Sequence, residues 1–298
     1  MTDEFALIER IRAQLGGDAP DWLVLGPGDD GAVVRPPAGH DIASSIDSFL
    51  ADVHFPARAD AELIGYRCLM ASLSDLAAMA ATPAWALVAL SLPEGDPGWV
   101  TALARGMDEA AATAGVQIAG GNLAAGPLTI TVSVQGWAPV GTMLARSGAM
   151  PGDAICLSGP VGGAAGALRQ IDPAASRPNQ LTALERAYWR PQPPFSLASA
   201  LRDHASSGID LSDGLLSDLG HVAAASGVSL HLRRAAIPVA QGAGLEDALS
   251  EGDDYALAFT TGHKPLMARF AVIGEVAAGS GLHLDGKPVN GRGFRHFR

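Results

Sequence analysis

In the second half of the chain, Gly208-Ile209-Asp210-Leu211-Ser212-Asp213-Gly214 runs into Leu215-Leu216-Ser217-Asp218-Leu219. A short apolar run delivers two carboxylates and a hydroxyl into a glycine turn, and a helix starts there. Acid at such a junction points to cations and phosphate, not to a plain helix cap. The tetrapeptide Leu-Ser-Asp-Leu also occurs at residues 73–76, so each half of the chain is expected to contribute acid to one site. Ser217-Asp218, which completes the second copy, is read as helix surface.

Around this stretch the pattern is that of a chain mixing strands and helices. Phe5, Ile8, Ile11 and Leu15 recur at near-helical spacing and stop at Gly16-Gly17. Trp22 to Leu25 reads as a strand entering Gly26-Pro27-Gly28-Asp29-Asp30-Gly31. Those residues match the dinucleotide fingerprint literally, but two aspartates would face the pyrophosphate and a proline-ended strand follows where a helix is needed. Asp41 to Asp47 is a strand ending in an acid. A helix capped by Asp60 runs towards Ala80 and carries Ser74 and Asp75 among apolar neighbours, where an acid needs a partner or a cation. Trp85 to Leu92 is a strand, and Asp96-Pro97 opens a helix that closes at Gly115. Val116 to Ala119 is a strand into Gly120-Gly121-Asn122, and Leu128 to Gly136 alternates as another strand.

The turn Pro151-Gly152-Asp153 marks a boundary near residue 148, giving domains 1–148 and 149–298, in line with about 150 residues per domain. Ala154 to Ser158 is a strand. The glycines of 159–166 lack the Gly-Lys-Ser/Thr of a phosphate loop and are read as helix-start packing. Residues 171–194 are proline-rich with a short helical piece. Val228 to Leu232 and Ala256 to Thr260 are strands, the latter led in by Glu251-Gly252-Asp253-Asp254-Tyr255, and Asp285-Gly286 is a hairpin turn.

Composition excludes several classes. The net charge of −11 leaves no basic surface for nucleic acid. No apolar run reaches the roughly 18 residues of a membrane span, and the acidic N-terminus is unlike a signal peptide, so a cytoplasmic protein is expected. Cys68 and Cys156 lack metal-type spacing and are expected as buried thiols.

The acids at glycine turns or strand ends are Asp29, Asp30, Asp47, Asp75, Asp210, Asp213, Asp253 and Asp254. Oxygen-only ligands select hard cations, so Mg²⁺ is expected, bound between carboxylates and substrate phosphates, with ATP as co-substrate. Arg146 offers a fork for phosphate oxygens. The scattered histidines and the lack of a G-x-S-x-G elbow argue against nucleophilic catalysis. His54 closes a loop that begins at Asp47 and is kept as a candidate.

Gly28-Asp29-Asp30-Gly31-Ala32-Val33, Asp47 through His54-Phe55, residues 73–80, Asp210-Leu211-Ser212-Asp213-Gly214-Leu215 and Gly293-Phe294-Arg295-His296-Phe297 together resemble the thiamine-monophosphate kinase family. Single motifs are shared with aminoimidazole ribonucleotide synthetase, selenophosphate synthetase and a hydrogenase maturation protein. The resemblance implies an α+β chain with the two-domain aminoimidazole ribonucleotide synthetase-like fold. Its N-terminal mixed sheet domain would pair in a homodimer, and a C-terminal α/β domain would close the active site. It also implies ATP-dependent phosphorylation of thiamine monophosphate to thiamine diphosphate with several Mg²⁺ ions. By position, Asp30, Ser45, Asp47, Asp75, Asp210 and Asp213 resemble metal ligands. Gly121, Arg146 and Ser212 resemble ATP contacts, and His54, Asp253 and Phe294 substrate contacts. Asp30, Asp47, Asp75, Asp210 and Arg146 form the expected catalytic set.

Three departures stand out. Gly120-Gly121-Asn122-Leu123 replaces the family's Gly-Gly-Asp-Thr, so Asn122 offers Mg²⁺ and the nucleotide an amide oxygen in place of a carboxylate. Asp253 stands where the family has glutamate, and Ile46 where a hydroxyl residue is frequent. Two other functions remain open from sequence: a sister ATP-dependent synthetase or ligase of the same fold, and a non-catalytic nucleotide-binding protein.

Overall fold

The computed structural model describes residues 4–15, 19–291 and 293. The glycine end of the first helix and Phe294 therefore lie outside the described residues. Two compact units are present. The first comprises residues 1–76, 82–140 and 172–182, and the second comprises 77–81, 141–171 and 183–298.

The N-terminal unit contains α1 (Glu4–Gln14), β1 (Leu23–Leu25), β2 (Val33–Val34), β3 (His40–Leu50), α2 (Ala61–Ala78), β4 (Thr82–Leu92), α3 (Pro97–Ala114), β5 (Gln117–Ala125) and β6 (Thr129–Pro139). The short β1-β2 ribbon stands apart from a four-stranded sheet of order β3-β6-β4-β5, antiparallel except for the parallel β4-β5 pair. Period-two alternation sorts its faces. Ala43 and Phe49 of β3 pair with Gly136 and Ile130 of β6 on the buried face, while Ile42 pairs with Trp137 on the other. The helix α2 is buried along its length, polar Arg67, Ser72 and Ser74 included, apart from half-buried Glu62 and Asp75. Asp60 Oδ1 accepts the Glu62 N–H at 3.0 Å, the cap expected from sequence. The helix α3 follows the same logic: Asp96 Oδ1 accepts the N–H of Gly98 and Trp99, Pro97 takes the first turn, and left-handed Gly115 ends it.

Two sequence boundaries need correction. The strand read as ending at Asp47 continues to Leu50, because Ser48, Phe49 and Leu50 keep pairing with Thr131, Ile130 and Thr129. Asp47 is thus a mid-strand residue. The strand read as ending at Ala119 likewise continues through Gly120-Gly121-Asn122, the middle of β5, to Ala125 against β4.

The C-terminal unit contains β7 (Ala154–Leu157), α4 (Gly163–Leu168), α5 (Ala183–Trp189), α6 (Ala198–His204), β8 (Ser207–Asp210), α7 (Leu215–Ser226), β9 (Ser229–Leu232), α8 (Leu245–Ser250), β10 (Leu257–Thr261), α9 (Lys264–Met267), β11 (Ala271–Ala277), β12 (Gly281–Leu284) and β13 (Lys287–Val289). Its seven-stranded sheet has the order β13-β12-β9-β11-β7-β10-β8 and is antiparallel except for β9-β12. Both faces of its middle are covered. Ile155 and Leu157 join Leu215, Leu219 and Val222 of α7 in one core, and Ala154 and Cys156 join Ala198 and Leu201 of α6 in the other. This explains why β7 reads as a continuous apolar run. Both cysteines are free and buried, as expected.

Candidate active site

In the N-terminal unit, β3 and α2 bring acids together from regular elements. Ser45 donates its hydroxyl to Asp75 Oδ2. Asp47, two residues on along the same strand and so on the same face, is pushed up to about 6 from an ordinary 3.8, first by burial and then by the negative charge of Asp75. A hydrogen bond with Ser72, one helical turn before Asp75, partly offsets this. The arrangement sets two carboxylates facing one another, with hydroxyls of Ser45 and Ser72 bonded to them, and their mutual repulsion favours a cation.

Asp30 is exposed in the loop after β1, where its N–H is turned onto Asp29 Oδ1 at 2.8 Å. Asn122 is exposed on β5 opposite Ala89. A Cβ at Gly121 would lie 2.1 Å from the Val88 carbonyl oxygen, so close strand approach itself demands glycine there. His54 follows β3: its Nδ1 accepts the Leu50 N–H at 2.9 Å and its ring stands edge-on to Phe49 at 5.9 Å. Neutral His54 therefore carries its proton on Nε2.

In the C-terminal unit the acids straddle a turn. Asp210 ends β8 and is buried, Asp213 is half-buried, and the helix α7 begins after Gly214. Asp218 is not helix surface. It is 3% exposed, and its Oδ2 accepts the N–H of Asp213 at 3.2 Å and of Gly214 at 3.1 Å. Burial, followed by the charges of Asp210 and Asp213, pushes its carboxyl up to about 8. Sequence carried a signal for this: Leu215, Leu219, Val222 and Ala223 are the buried stripe of α7, and position 218 falls inside it.

The loop at Glu251-Gly252-Asp253-Asp254-Tyr255 is stitched to the same turn. Asp253 N–H reaches the Ser212 carbonyl at 3.0 Å and Tyr255 N–H the Leu211 carbonyl at 2.9 Å. A Cβ on Gly252 would fall 1.9 Å from the Ser212 carbonyl oxygen, so this contact excludes any side chain. The side chain of Asp254 accepts the N–H of Gly162 at 2.6 Å and of Gly163 at 3.0 Å, and burial raises it to about 6. The glycine-rich segment is thus a helix start, as read from sequence, with its donors occupied by the chain's own carboxylate. Ser212 is exposed at the turn, and Arg146 is exposed with its carbonyl accepting the Ser226 hydroxyl at 3.2 Å.

Among the described residues, no three acidic, histidine or cysteine side chains converge on one point within a cation's reach. Each group instead offers two or three oxygens. Mg²⁺ is commonly held that way, by one or two carboxylates with waters and substrate phosphates completing the octahedron. The donor set fits this ion.

Residues 28–138 match the family profile described as AIR synthase related protein, N-terminal domain. Thiamine-monophosphate kinase of Salmonella typhimurium is 37% identical over 99% of this chain and 98% of the relative. Its counterpart in Haemophilus influenzae is 33% identical over the same shares. Among solved structures, thiamine-monophosphate kinase from Stenotrophomonas maltophilia superposes with a TM-score of 0.87 at 37% identity, covering 96% of this chain and 98% of that one. The structure named "AaThiL complexed with AMPPCP and TMP" gives 0.80 at 28% identity, covering 99% and 97%. Hydrogenase maturation protein HypE of E. coli, at 22% identity and 0.72, shares the fold. Relatives above 30% identity, matched over nearly their whole length, place this chain in the thiamine-monophosphate kinase family.

Proposed function

We propose that the chain phosphorylates thiamine monophosphate to thiamine diphosphate by direct, in-line transfer from ATP. The observation that carries this reading is the full-length likeness to kinases of that name, including one solved with an ATP analogue and TMP. The chain is accordingly a kinase and a transferase of thiamine biosynthesis.

The acceptor sets the chemical problem. A phosphate monoester has a second pKa near ~6, so its oxygen is already ionised at neutral pH and needs little help from a general base. The barrier is repulsion between two anions. Asp30, Ser45, Asp47, Asp75 and Asn122 on one unit, and Asp210 and Asp213 on the other, would hold Mg²⁺. Mg²⁺ bound at either group would supply positive charge that offsets the negative charge of phosphate oxygens. Arg146 supplies a fixed guanidinium fork for phosphate, and Gly121 and Ser212 would contact ATP. His54 presents an Nε2–H donor suited to the acceptor phosphate, Asp253 contacts the rest of the acceptor, and position 294 is assigned to it by sequence. No histidine or serine nucleophile is required, and transfer proceeds without a phosphoenzyme.

The sheet of the N-terminal unit supports a homodimer. Ile42, Ile46 and Leu50 of β3 and Leu87 of β4 are 48%, 66%, 44% and 38% exposed, and Trp22, Trp85 and Trp137 cluster with ring centroids 5.3–6.2 Å apart. An apolar sheet face of that extent is what a second copy covers. No described helix is long and apolar enough to cross a membrane, which agrees with a cytoplasmic site of action.

Incubating the purified protein with ATP, Mg²⁺ and thiamine monophosphate is expected to yield thiamine diphosphate and ADP, with inversion at a chirally labelled γ-phosphorus. Retention would overturn direct transfer. Turnover with a sister synthetase's acceptor in place of thiamine monophosphate would overturn the kinase assignment. Because Asn122 supplies an amide, Asn122→Asp is expected to lower the Mg²⁺ concentration for half-maximal rate. An unchanged titration would remove Asn122 from the metal set.

A further inference from the structure

We propose that Asp254 and Tyr255 are positioning residues that fix the carboxylate of Asp253 for the acceptor, an inference that rests on the kinase reading above. Asp253 and Tyr255 both adopt left-handed backbone conformations, with φ of 68° and 52°. For non-glycine residues this is costly, above all for a bulky side chain such as tyrosine, and two instances within three residues persist only where surrounding contacts impose them.

Those contacts are specific. The Asp254 carboxylate is pinned at the start of α4 by the N–H groups of Gly162 and Gly163. On either side of this anchor, the N–H groups of Asp253 and Tyr255 are held by the Ser212 and Leu211 carbonyls. Between these anchors the left-handed backbone at Asp253 and Tyr255 accompanies a return of the Tyr255 hydroxyl to the Asp253 side chain. Tyr255 is 7% exposed, and its hydroxyl donates to Asp253 Oδ1 at 2.8 Å. One oxygen of Asp253 is thereby fixed in direction, which turns a mobile side chain into an oriented hydrogen-bond acceptor of negative charge. Such a group suits an acceptor that carries a cationic ring and amine donors. It also offsets the shorter reach of aspartate at a position where the family has glutamate, because the loop and not the side chain sets the oxygen's place.

Tyr255→Phe removes the hydroxyl and keeps the buried ring. It is expected to raise KM for thiamine monophosphate about 10-fold, while KM for ATP and the melting temperature stay near wild-type values. Combined with Asp253→Ala, it is expected to add no further loss, since alanine leaves no side-chain oxygen for the Tyr255 hydroxyl to orient. Asp254→Asn keeps one acceptor oxygen for two N–H groups, and a smaller rise in the same KM is expected; if that variant does not fold, Tyr255→Phe decides. A silent Tyr255→Phe, an equal rise in both KM values, or additive losses in the double variant would overturn the proposal while leaving the kinase reading intact. A wild-type protein that does not turn over thiamine monophosphate would overturn both.

Discussion

In the N-terminal unit, Asp47 and Asp75 stand on the middle of a strand and near the end of a buried helix. In the C-terminal unit, Asp210, Asp213 and Asp218 straddle a strand end, a turn and the first turn of a helix. The first pair is held by regular hydrogen bonding of β3 and α2, so the backbone is indifferent to what the side chains do. The second group depends on its turn, whose N–H groups close onto Asp218 and whose carbonyl at Ser212 receives the neighbouring loop. The same chemistry, carboxylates crowded where cations and phosphate would relieve them, thus rests on a rigid scaffold in one unit and on backbone fit in the other.

Neutralising an acid should make the two groups look alike. Asp75→Asn and Asp210→Asn are each expected to lower kcat by about 100-fold or more at fixed Mg²⁺, the scale for losing one preorganised charge contact to a developing transition state. Steady-state rates of thiamine diphosphate formation measure this. A loss confined to one of the two variants would mean that the other unit's acids serve only structure.

Backbone fit should separate them. Gly252→Ala places a methyl where 1.9 Å separates it from the Ser212 carbonyl oxygen, and neither side of that contact is free to move. A cost of about 1–3 kcal/mol in unfolding free energy is expected, with a rise in KM for both substrates, as the turn and the loop shift together. Urea melts read the stability. A Gly252→Ala variant of wild-type stability would show that the turn is pliant and that the contrast between the units is one of sequence alone.

What sequence could reveal follows the same division. The turn acids were visible because glycine marks where a chain must reverse, and Asp210-Leu211-Ser212-Asp213-Gly214 declares its position in one dimension. Asp75 was visible as an acid in an apolar helix, but its partnership with Ser45 depends on a strand and a helix far apart in sequence. That β3 continues past Asp47 to Leu50 was hidden, since Ser48 and Leu50 gain their strand character from pairing with β6, a tertiary effect that overrides weak local preference. Asp218 and Tyr255 were missed for different reasons. The spacing of α7 did place Asp218 on the buried stripe, whereas nothing local foretells the left-handed turn at Tyr255, which the anchoring of Asp254 imposes from outside the loop.

The smallest expected effect concerns the cost of crowding itself. Asp47 loses its proton near 3.8 when unfolded and near 6 in the fold. Between those values the native state binds more protons than the unfolded one, so stability falls as pH rises from about 4 to about 6 and stays low beyond. Asp75→Asn removes one cause of the raised value, and in chelator at pH 7.5 its melting temperature is expected to exceed that of the wild type even though its kcat is lowered. The gain is partial, because burial outranks the Asp75 charge as the cause and remains after the substitution. Added Mg²⁺ is then expected to raise the melting temperature of the wild type more than that of Asp75→Asn, since a ligand stabilises the state that binds it. Thermal melts across pH 4–8, with and without Mg²⁺, measure both slopes. A variant whose melting temperature tracks the wild type at every pH would show that the strand and helix hold the two carboxylates without electrostatic cost, and the scaffold contrast with the C-terminal turn would lose its physical basis.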